Sequence, residues 1–179
     1  MKKIISFAAA ISMLLLLSSA YAQNKNEMTK SELKVGMKAP NFSLEDAYGH
    51  HFSLAKYKGK SPVIVYFYPK AGTAGCTKEA CGIRDDWGKF KAKKIQVLGI
   101  SVDTKPEIMK FIKDNNLNFP LLSDAGKKVS KEYGVYNKNG YDNRVTFIVN
   151  KEGKITNIIK VTNIEEHAAE VYKIALKLL

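Results

Sequence analysis

Two apolar runs, each as long as a single strand, constrain the fold of this chain more than any other feature. Residues 61–68 (SPVIVYFY) and 95–102 (IQVLGISV) are almost continuously β-branched, aliphatic or aromatic. Such runs predict strands that are buried on both faces. Between them, residues 77–91 carry apolar side chains at helical spacing, namely Ala80, Ile83, Trp87 and Phe90. A strand, a helix and a second strand in this order predict a parallel pair joined by a helical crossover.

The middle of the chain predicts further elements of both kinds. Thr104, followed by Pro106 in the first turn and by Glu107, predicts the start of a second helix. A short strand at residues 120–122 and a short helix at residues 125–133 follow.

The end of the chain predicts a hairpin and a closing helix. Residues 144–149 and 155–161 are apolar runs that flank a turn at residues 151–154, which is typical of a hairpin. Apolar positions at helical spacing predict a last helix over residues 164–178. A parallel unit followed by a late hairpin predicts an α/β domain with a thioredoxin-like fold. In such a fold, helices cover both faces of a central mixed β-sheet.

Residues 1–22 predict a cleaved secretory signal peptide. Lys2 and Lys3 precede an apolar run at residues 4–17, and small residues at positions 20 and 22 suit a cleavage site. The run has about 14 residues, fewer than the ~20 that a spanning helix needs. We therefore expect an exported chain, periplasmic or secreted, that starts near Gln23 and has no stable membrane insertion.

The mature chain predicts one domain with a basic surface. Residues 23–34 are polar and predict a flexible lead-in, whereas residues 35–179 show no linker-like break and predict the folded domain. The formal net charge is +12, or +10 after removal of the two lysines of the signal peptide. The lysines are scattered among acidic residues, which argues against nucleic-acid binding and leaves attraction to an acidic partner open.

Residues 67–81 (FYPKAGTAGCTKEAC) hold both cysteines of the chain. A buried strand ends at Pro69, a glycine-containing turn follows, and Cys76 then stands at the start of a helix. The free N–H groups and the dipole of a helix N-terminus favour an anion. The position therefore favours the thiolate, which is the nucleophilic form of cysteine.

The spacing of the two cysteines bears on whether they form a permanent disulfide. In an exported protein a structural disulfide is the simplest expectation. If Cys76 and Cys81 lie on one helix, however, their Cα atoms are about 8.7 Å apart, and a disulfide needs ~7 Å or less. The pair can bond only if the first turn of the helix unwinds. This fits a pair that cycles between two forms better than a static crosslink.

The arrangement Pro69-x-x-x-Thr73-x-x-Cys76 resembles the Pro-x-x-x-Thr/Ser-x-x-Cys signature of peroxiredoxins. Its continuation to Cys81, with Arg84 close behind, is similar to the Q-type branch, also called bacterioferritin comigratory proteins, of the AhpC/TSA family. The resemblance covers residues 35–179 and extends to three further segments, GMKAPNFSL at 36–44, GK at 59–60 and RVTF at 144–147.

The resemblance implies a role for each residue of the motif. Cys76 corresponds to the peroxidatic cysteine and Cys81 to the resolving cysteine. Thr73 is expected to offer its hydroxyl to the thiolate and the peroxide, and Pro69 to shield the pocket and shape the loop. Arg144 is expected to lie beside Cys76, where its fixed donors stabilise the thiolate and polarise the peroxide.

The implied activity is a thiol-dependent peroxidase that acts on hydrogen peroxide and organic hydroperoxides. Attack by Cys76 gives a sulfenic acid, which condenses with Cys81 to an intramolecular disulfide. A thioredoxin-like dithiol protein then reduces this disulfide by exchange. The resemblance implies no metal or organic cofactor, and it implies a monomer.

Two other functions stay open at this point. An envelope thiol–disulfide oxidoreductase of the thioredoxin-like class is expected to carry Cys-x-x-Cys, whereas four residues separate Cys76 from Cys81. A non-enzymatic thioredoxin-like module with a fixed disulfide is the third hypothesis, and it predicts a pair that resists mild reduction.

Several residues around the motif have simpler interpretations. Ala74 stands where the Q-type branch usually has proline, so the loop lacks one rigid residue. Arg84 is either functional or paired with a nearby acid on the helix surface. Lys78 and Glu79 are predicted to face solvent in the first turn of the helix. His167, on the last helix, is not predicted to bind a metal, because no third ligand stands at motif spacing.

Overall fold

A computed structural model describes residues 32–179 of the chain. The signal peptide predicted for residues 1–22 and most of the lead-in predicted for residues 23–34 lie outside this part. Residues 33–179 form one compact unit. Among the described residues, no helix has the length and apolar character needed to cross a membrane.

The unit consists of seven strands and four α-helices within the described residues. The strands are β1 (Ser43–Asp46), β2 (His51–Ser53), β3 (Val63–Phe67), β4 (Gln96–Ser101), β5 (Leu121–Ser123), β6 (Val145–Val149) and β7 (Ile155–Lys160). The helices are α1 (Ala74–Ala92), α2 (Lys105–Asn115), α3 (Lys128–Glu132) and α4 (His167–Leu176), with a 3-10 turn at Leu54–Tyr57.

All seven strands belong to one mixed sheet in the order β2-β1-β5-β4-β3-β6-β7. The β3–β4 and β4–β5 pairs are parallel, and the other pairs are antiparallel. The predicted parallel crossover through α1 and the predicted hairpin of β6 and β7 are both confirmed.

The central strand β3 is buried on both faces, as its composition predicts. Successive side chains of a strand point to opposite faces. Ile64 and Tyr66 accordingly pack in a core with side chains of α1, α2 and α4, whereas Val63 and Val65 pack in a second core with side chains of α3. Helices therefore cover both faces of the sheet, and the predicted thioredoxin-like α/β fold is confirmed.

The bounds of three helices differ from the predictions. Helix α1 begins at Ala74 rather than at 77, because Thr73 is extended and its carbonyl accepts the first helical hydrogen bond, from the Thr77 N–H (2.8 Å). Helix α4 begins at 167 rather than 164, because the Asn163 carboxamide oxygen holds the Glu165 N–H (3.2 Å) in a turn. Helix α3 has only five residues, Lys128–Glu132, rather than the predicted 125–133.

One edge of the sheet, formed by β1 and β2, differs from the prediction. The hairpin of β1 and β2 was not predicted, because both strands are short and largely exposed or half-buried.

The predicted start of α2 is confirmed, since the Glu107 carboxylate accepts hydrogen bonds from the Thr104 N–H (2.8 Å) and hydroxyl (2.7 Å).

A buried carboxyl group lies between α3 and the loop before β6. Asp142 has no solvent exposure and accepts a hydrogen bond from the Ser130 hydroxyl (2.9 Å). Burial, together with the negative charges of nearby Asp124 and Asp103, raises the pKa of Asp142 to about 7, although the bond from Ser130 opposes the shift. The folded protein therefore holds this proton more tightly than the unfolded chain does.

We expect this proton to make stability depend on pH. Between about pH 4 and pH 7 the folded state binds the proton of Asp142 and the unfolded chain does not. The contribution of this proton to the free energy of unfolding therefore falls across this range and is lost as pH rises through about 7. Relative to wild type, Asp142→Asn should gain roughly 1–3 kcal/mol of unfolding free energy on going from pH 5 to pH 8. Urea unfolding of both proteins at the two pH values measures this difference. A constant difference would contradict the assignment.

Candidate active site

Cys76 is the third residue of α1, directly above the end of β3. The loop between the two elements is fixed by the Asp103 carboxylate, which accepts a hydrogen bond from the Ala71 N–H (2.7 Å), and by Gly72, whose φ of 76° suits glycine. The Cys76 side chain is only 2% exposed and belongs to the core beneath α1. Cys76 thus belongs to the first helical turn, whose N–H groups lack helical partners, and its side chain lies in a place that excludes most water.

Arg144 reaches the thiol from the neighbouring strand. Strand β6 pairs with β3 so that Val145 lies opposite Phe67, and this register places Arg144 beside the loop that follows β3. The guanidinium Nη2 is 3.2 Å from Cys76 Sγ. The structure thus brings together the two residues that the sequence predicts to be adjacent.

Glu79 holds the other side of the guanidinium. Its Oε2 accepts a hydrogen bond from Arg144 Nη1. The prediction that Glu79 is solvated was wrong: the residue is 1% exposed, because it lies one helical turn after Cys76 on the buried face of α1. Burial alone would lower the pKa of Arg144, but the negative charges of Glu79 and Cys76 outweigh it and raise that pKa above its ordinary value. The guanidinium stays charged in the site.

Two more buried polar residues continue this cluster away from the thiol. His167 Nδ1 lies 3.0 Å from Glu79 Oε1, and His167 Nε2 lies 2.9 Å from the Thr146 hydroxyl. Both His167 and Thr146 have no solvent exposure. No local pattern in the sequence predicts the contacts within this group, since its members come from α1, β6 and α4.

Thr73 and Pro69 precede Cys76 in the loop, and in the described residues neither forms a hydrogen bond with its thiol. Thr73 is exposed, and its hydroxyl donates to the Lys70 carbonyl (3.0 Å). To donate to a peroxide it must leave that acceptor. Pro69 is half-buried, two residues after the end of β3. The roles that the resemblance implies for both residues stay predictions.

Cys81 lies on the same continuous helix as Cys76. Cys81 is half-buried and both thiols are free. Because α1 runs without a break from Ala74 to Ala92, ideal helix geometry places the two Cα atoms about 8.7 Å apart. The described state is therefore the reduced one, and a disulfide requires part of α1 to open.

Other residues singled out from the sequence have structural contacts. Arg84 pairs with Asp85 (2.8 Å) and donates to the Asn115 carbonyl (2.7 Å), so it ties α1 to the C-terminal end of α2. Lys78 is exposed and pairs with Glu165. Ala74 is the first residue of α1, a position that readily accepts proline.

The arrangement provides a nucleophile, fixed positive charge and a potential second thiol. A thiolate at Cys76 lies in the first turn of α1 with the Arg144 guanidinium as its neighbour, and the same guanidinium can reach an electrophilic oxygen that approaches the sulfur. Among residues 32–179, no three His, Cys, Asp or Glu side chains are close enough together to hold a metal ion.

Comparison with known proteins shows to which family the chain belongs. The sequence profile of the AhpC/TSA family matches residues 35–158, which include both cysteines and Arg144. The chain belongs to the AhpC/TSA family. Within it, the chain is a member of the Q-type or Bcp branch, as the motif at residues 69–81 predicts.

Two curated members of the family illustrate the match. Peroxiredoxin Bcp of Escherichia coli (strain K12) is 41% identical over 133 residues, which are 70% of this chain and 85% of that protein. Chloroplastic peroxiredoxin Q of Oryza sativa subsp. japonica is 41% identical over 153 residues, which are 84% of this chain and 70% of that protein.

Solved structures of the family have the same fold. The crystal structure of peroxidoxin BcpB from Mycobacterium tuberculosis superposes with a TM-score of 0.76 and 30% identity, covering 83% of this chain and 99% of that one. A variant of peroxiredoxin Q from Xanthomonas campestris superposes with a TM-score of 0.70 and 27% identity, covering 76% of this chain and 90% of that one.

Proposed function

We propose that this protein is a thiol-dependent peroxidase that reduces hydrogen peroxide and organic hydroperoxides with Cys76 as its nucleophile. One observation carries the proposal: the Cys76 sulfur lies in the first turn of α1 with the Arg144 guanidinium 3.2 Å away. The peroxiredoxin relatives of the AhpC/TSA family support the same activity.

The first step transfers one oxygen atom to the sulfur. The Cys76 thiolate attacks one peroxide oxygen, the S–O bond forms, and the O–O bond breaks. The departing oxygen takes the electron pair and a proton and leaves as water or an alcohol, and Cys76 becomes a sulfenic acid. Arg144 stabilises the negative charge that develops on the departing oxygen, since its donors are already fixed beside the sulfur.

The second step uses Cys81. Its thiolate attacks the sulfenic sulfur, an S–S bond forms and the S–O bond breaks, and the departing hydroxide takes up the proton that the Cys81 thiol released and leaves as water. A thioredoxin-type dithiol protein then reduces the disulfide by exchange and is itself oxidised to a disulfide. The partners of the reaction are thus a peroxide and a protein dithiol.

Peroxide consumption by the purified protein tests the proposal. With thioredoxin, thioredoxin reductase and NADPH present, we expect continuous loss of hydrogen peroxide that is matched by NADPH oxidation. The thiol–disulfide oxidoreductase alternative predicts instead that the protein reduces insulin disulfides without peroxide. Insulin reduction without peroxide consumption would overturn the proposal.

We expect Cys81→Ser to react once with peroxide and then to stop. The variant keeps the nucleophile and Arg144, so the first oxidation proceeds, but no internal thiol is present to resolve the sulfenic acid. Addition of increasing amounts of peroxide should therefore consume about one equivalent per protein, with no turnover on thioredoxin. Normal turnover would exclude Cys81 as the sole resolving residue.

We also expect oxidation to loosen the first turns of α1. A disulfide cannot span about 8.7 Å between Cα atoms, so the backbone amides of residues 76–82 must lose helical hydrogen bonds when it forms. Hydrogen–deuterium exchange should become faster in this segment in the oxidised protein, while β4 stays protected. Equal exchange of residues 76–82 in the two redox forms would argue against unwinding.

We further propose that the mature protein acts outside the cytoplasm as a monomer. The charged start, short apolar run and small residues at positions 20 and 22 support cleavage after residue 22. Expression of the full chain should yield an exported form whose N-terminus is Gln23, and sedimentation should give the mass of one chain. An uncleaved cytoplasmic form or a dimer would contradict the respective statement.

A further inference from the structure

A buried polar cluster behind the guanidinium is not used by the reaction steps above. His167 of α4, Glu79 of α1 and Thr146 of β6 are each 0–1% exposed. His167 Nδ1 and Glu79 Oε1 lie 3.0 Å apart, within ion-pair distance, and neither atom makes an aligned hydrogen bond in the part of the chain that the structure describes. A buried charge that lacks its partner is strongly destabilising, so these two atoms depend on each other.

The chemistry of the groups fixes the proton between them. A carboxylate oxygen only accepts hydrogen bonds, so a bond that closes this 3.0 Å contact requires an N–H on His167 Nδ1. The Thr146 hydroxyl, 2.9 Å from Nε2, can either donate or accept. It can therefore pair with Nε2 in either tautomer of the ring. Tyr66 of β3, with ring centroids 6.1 Å apart, packs against the ring from the sheet.

The two oxygens of Glu79 then serve two different partners. Oε1 faces His167, and Oε2 accepts from Arg144. Because a carboxylate is rigid and planar, holding one oxygen fixes the direction of the other. We propose that His167 is a positioning residue: through Glu79 it fixes the guanidinium of Arg144 beside the nucleophile. This inference rests on the proposed function of the site, to which it adds a residue that does not contact the sulfur.

Rates of Cys76 modification in a Cys81→Ser background test this role. We would measure the reaction with one equivalent of hydrogen peroxide, and separately alkylation by iodoacetamide across pH 5–9. His167→Leu should slow the peroxide reaction at least ~10-fold and move the pH profile of alkylation upward. His167→Asn keeps an N–H donor close to the position of Nδ1, and should recover most of the lost rate.

A double-mutant cycle separates positioning from a structural effect. If His167 acts through Glu79, His167→Leu should change the rates little when Glu79→Gln is already present. A merely structural role predicts the same loss in both backgrounds, and that result would overturn the inference, as would an unchanged rate for His167→Leu. His50→Leu, at an exposed histidine, is the control. Alkylation of Cys76 by iodoacetamide requires no peroxide. If the peroxidase proposal alone fails, the alkylation rates still test the role of His167.

Discussion

Replacing Cys76 by serine is expected to abolish peroxide turnover, with a loss of at least about 10³-fold. A thiolate is a strong nucleophile toward peroxide oxygen, whereas a serine hydroxyl acts as a nucleophile only when an adjacent base activates it. The group next to position 76 is the Arg144 guanidinium, which is always charged and cannot accept a proton. The coupled assay with thioredoxin and NADPH measures the loss.

Two controls make the Cys76→Ser result specific. Its urea unfolding curve should stay close to that of wild type, because the replacement is nearly isosteric. Cys81→Ser, which changes the other cysteine on the same helix, should still consume about one equivalent of peroxide. Peroxide turnover by Cys76→Ser within tenfold of wild type would place the nucleophile elsewhere.

Arg144→Lys is expected to lower the rate of peroxide reduction by about 10²-fold. The guanidinium donates through Nη2 to Cys76 and through Nη1 to Glu79 at the same time. A lysine ammonium is a point charge on a flexible stem and does not reproduce this fork. The second-order rate of Cys76 oxidation, followed by the fluorescence of Trp87, the one tryptophan of the chain, measures the effect.

Arg84→Lys is the matched control for this prediction. Arg84 lies on the same helix as Cys76, but it pairs with Asp85 and with the Asn115 carbonyl rather than with the thiol. We expect the oxidation rate of this variant to stay within about twofold of wild type, because the partners of Arg84 are Asp85 and the Asn115 carbonyl and not the reacting sulfur. If Arg144→Lys were equally mild, the guanidinium would have no part in stabilising the transition state.

The fold was predictable where local sequence and tertiary structure agree. β3 and β4 are continuous apolar runs, and the start of α2 carries its own capping residues in Thr104 and Glu107. The β1–β2 hairpin was missed because its strands have four and three residues and little burial, so they lack a clear alternation.

Some parts of the candidate site could likewise be predicted from local sequence, and others could not. The link between Cys76 and the helix N-terminus is local and could be predicted from the turn at residues 69–75. The three-residue spacing from Cys76 to Glu79 offered a signal as well, since both face the same side of α1. The contacts of Glu79 with His167 could not be predicted, because they exist only once α4 packs against α1 and the sheet.

The location of the transferred oxygen tests the central claim most directly. Cys81→Ser protein is treated with one equivalent of hydrogen peroxide, trapped with a dione reagent that adds to sulfenic acids, digested and analysed by mass spectrometry. We predict a single adduct, on Cys76, in nearly all molecules. An unmodified Cys76 after the peroxide has been consumed would contradict the claim that this residue attacks the peroxide.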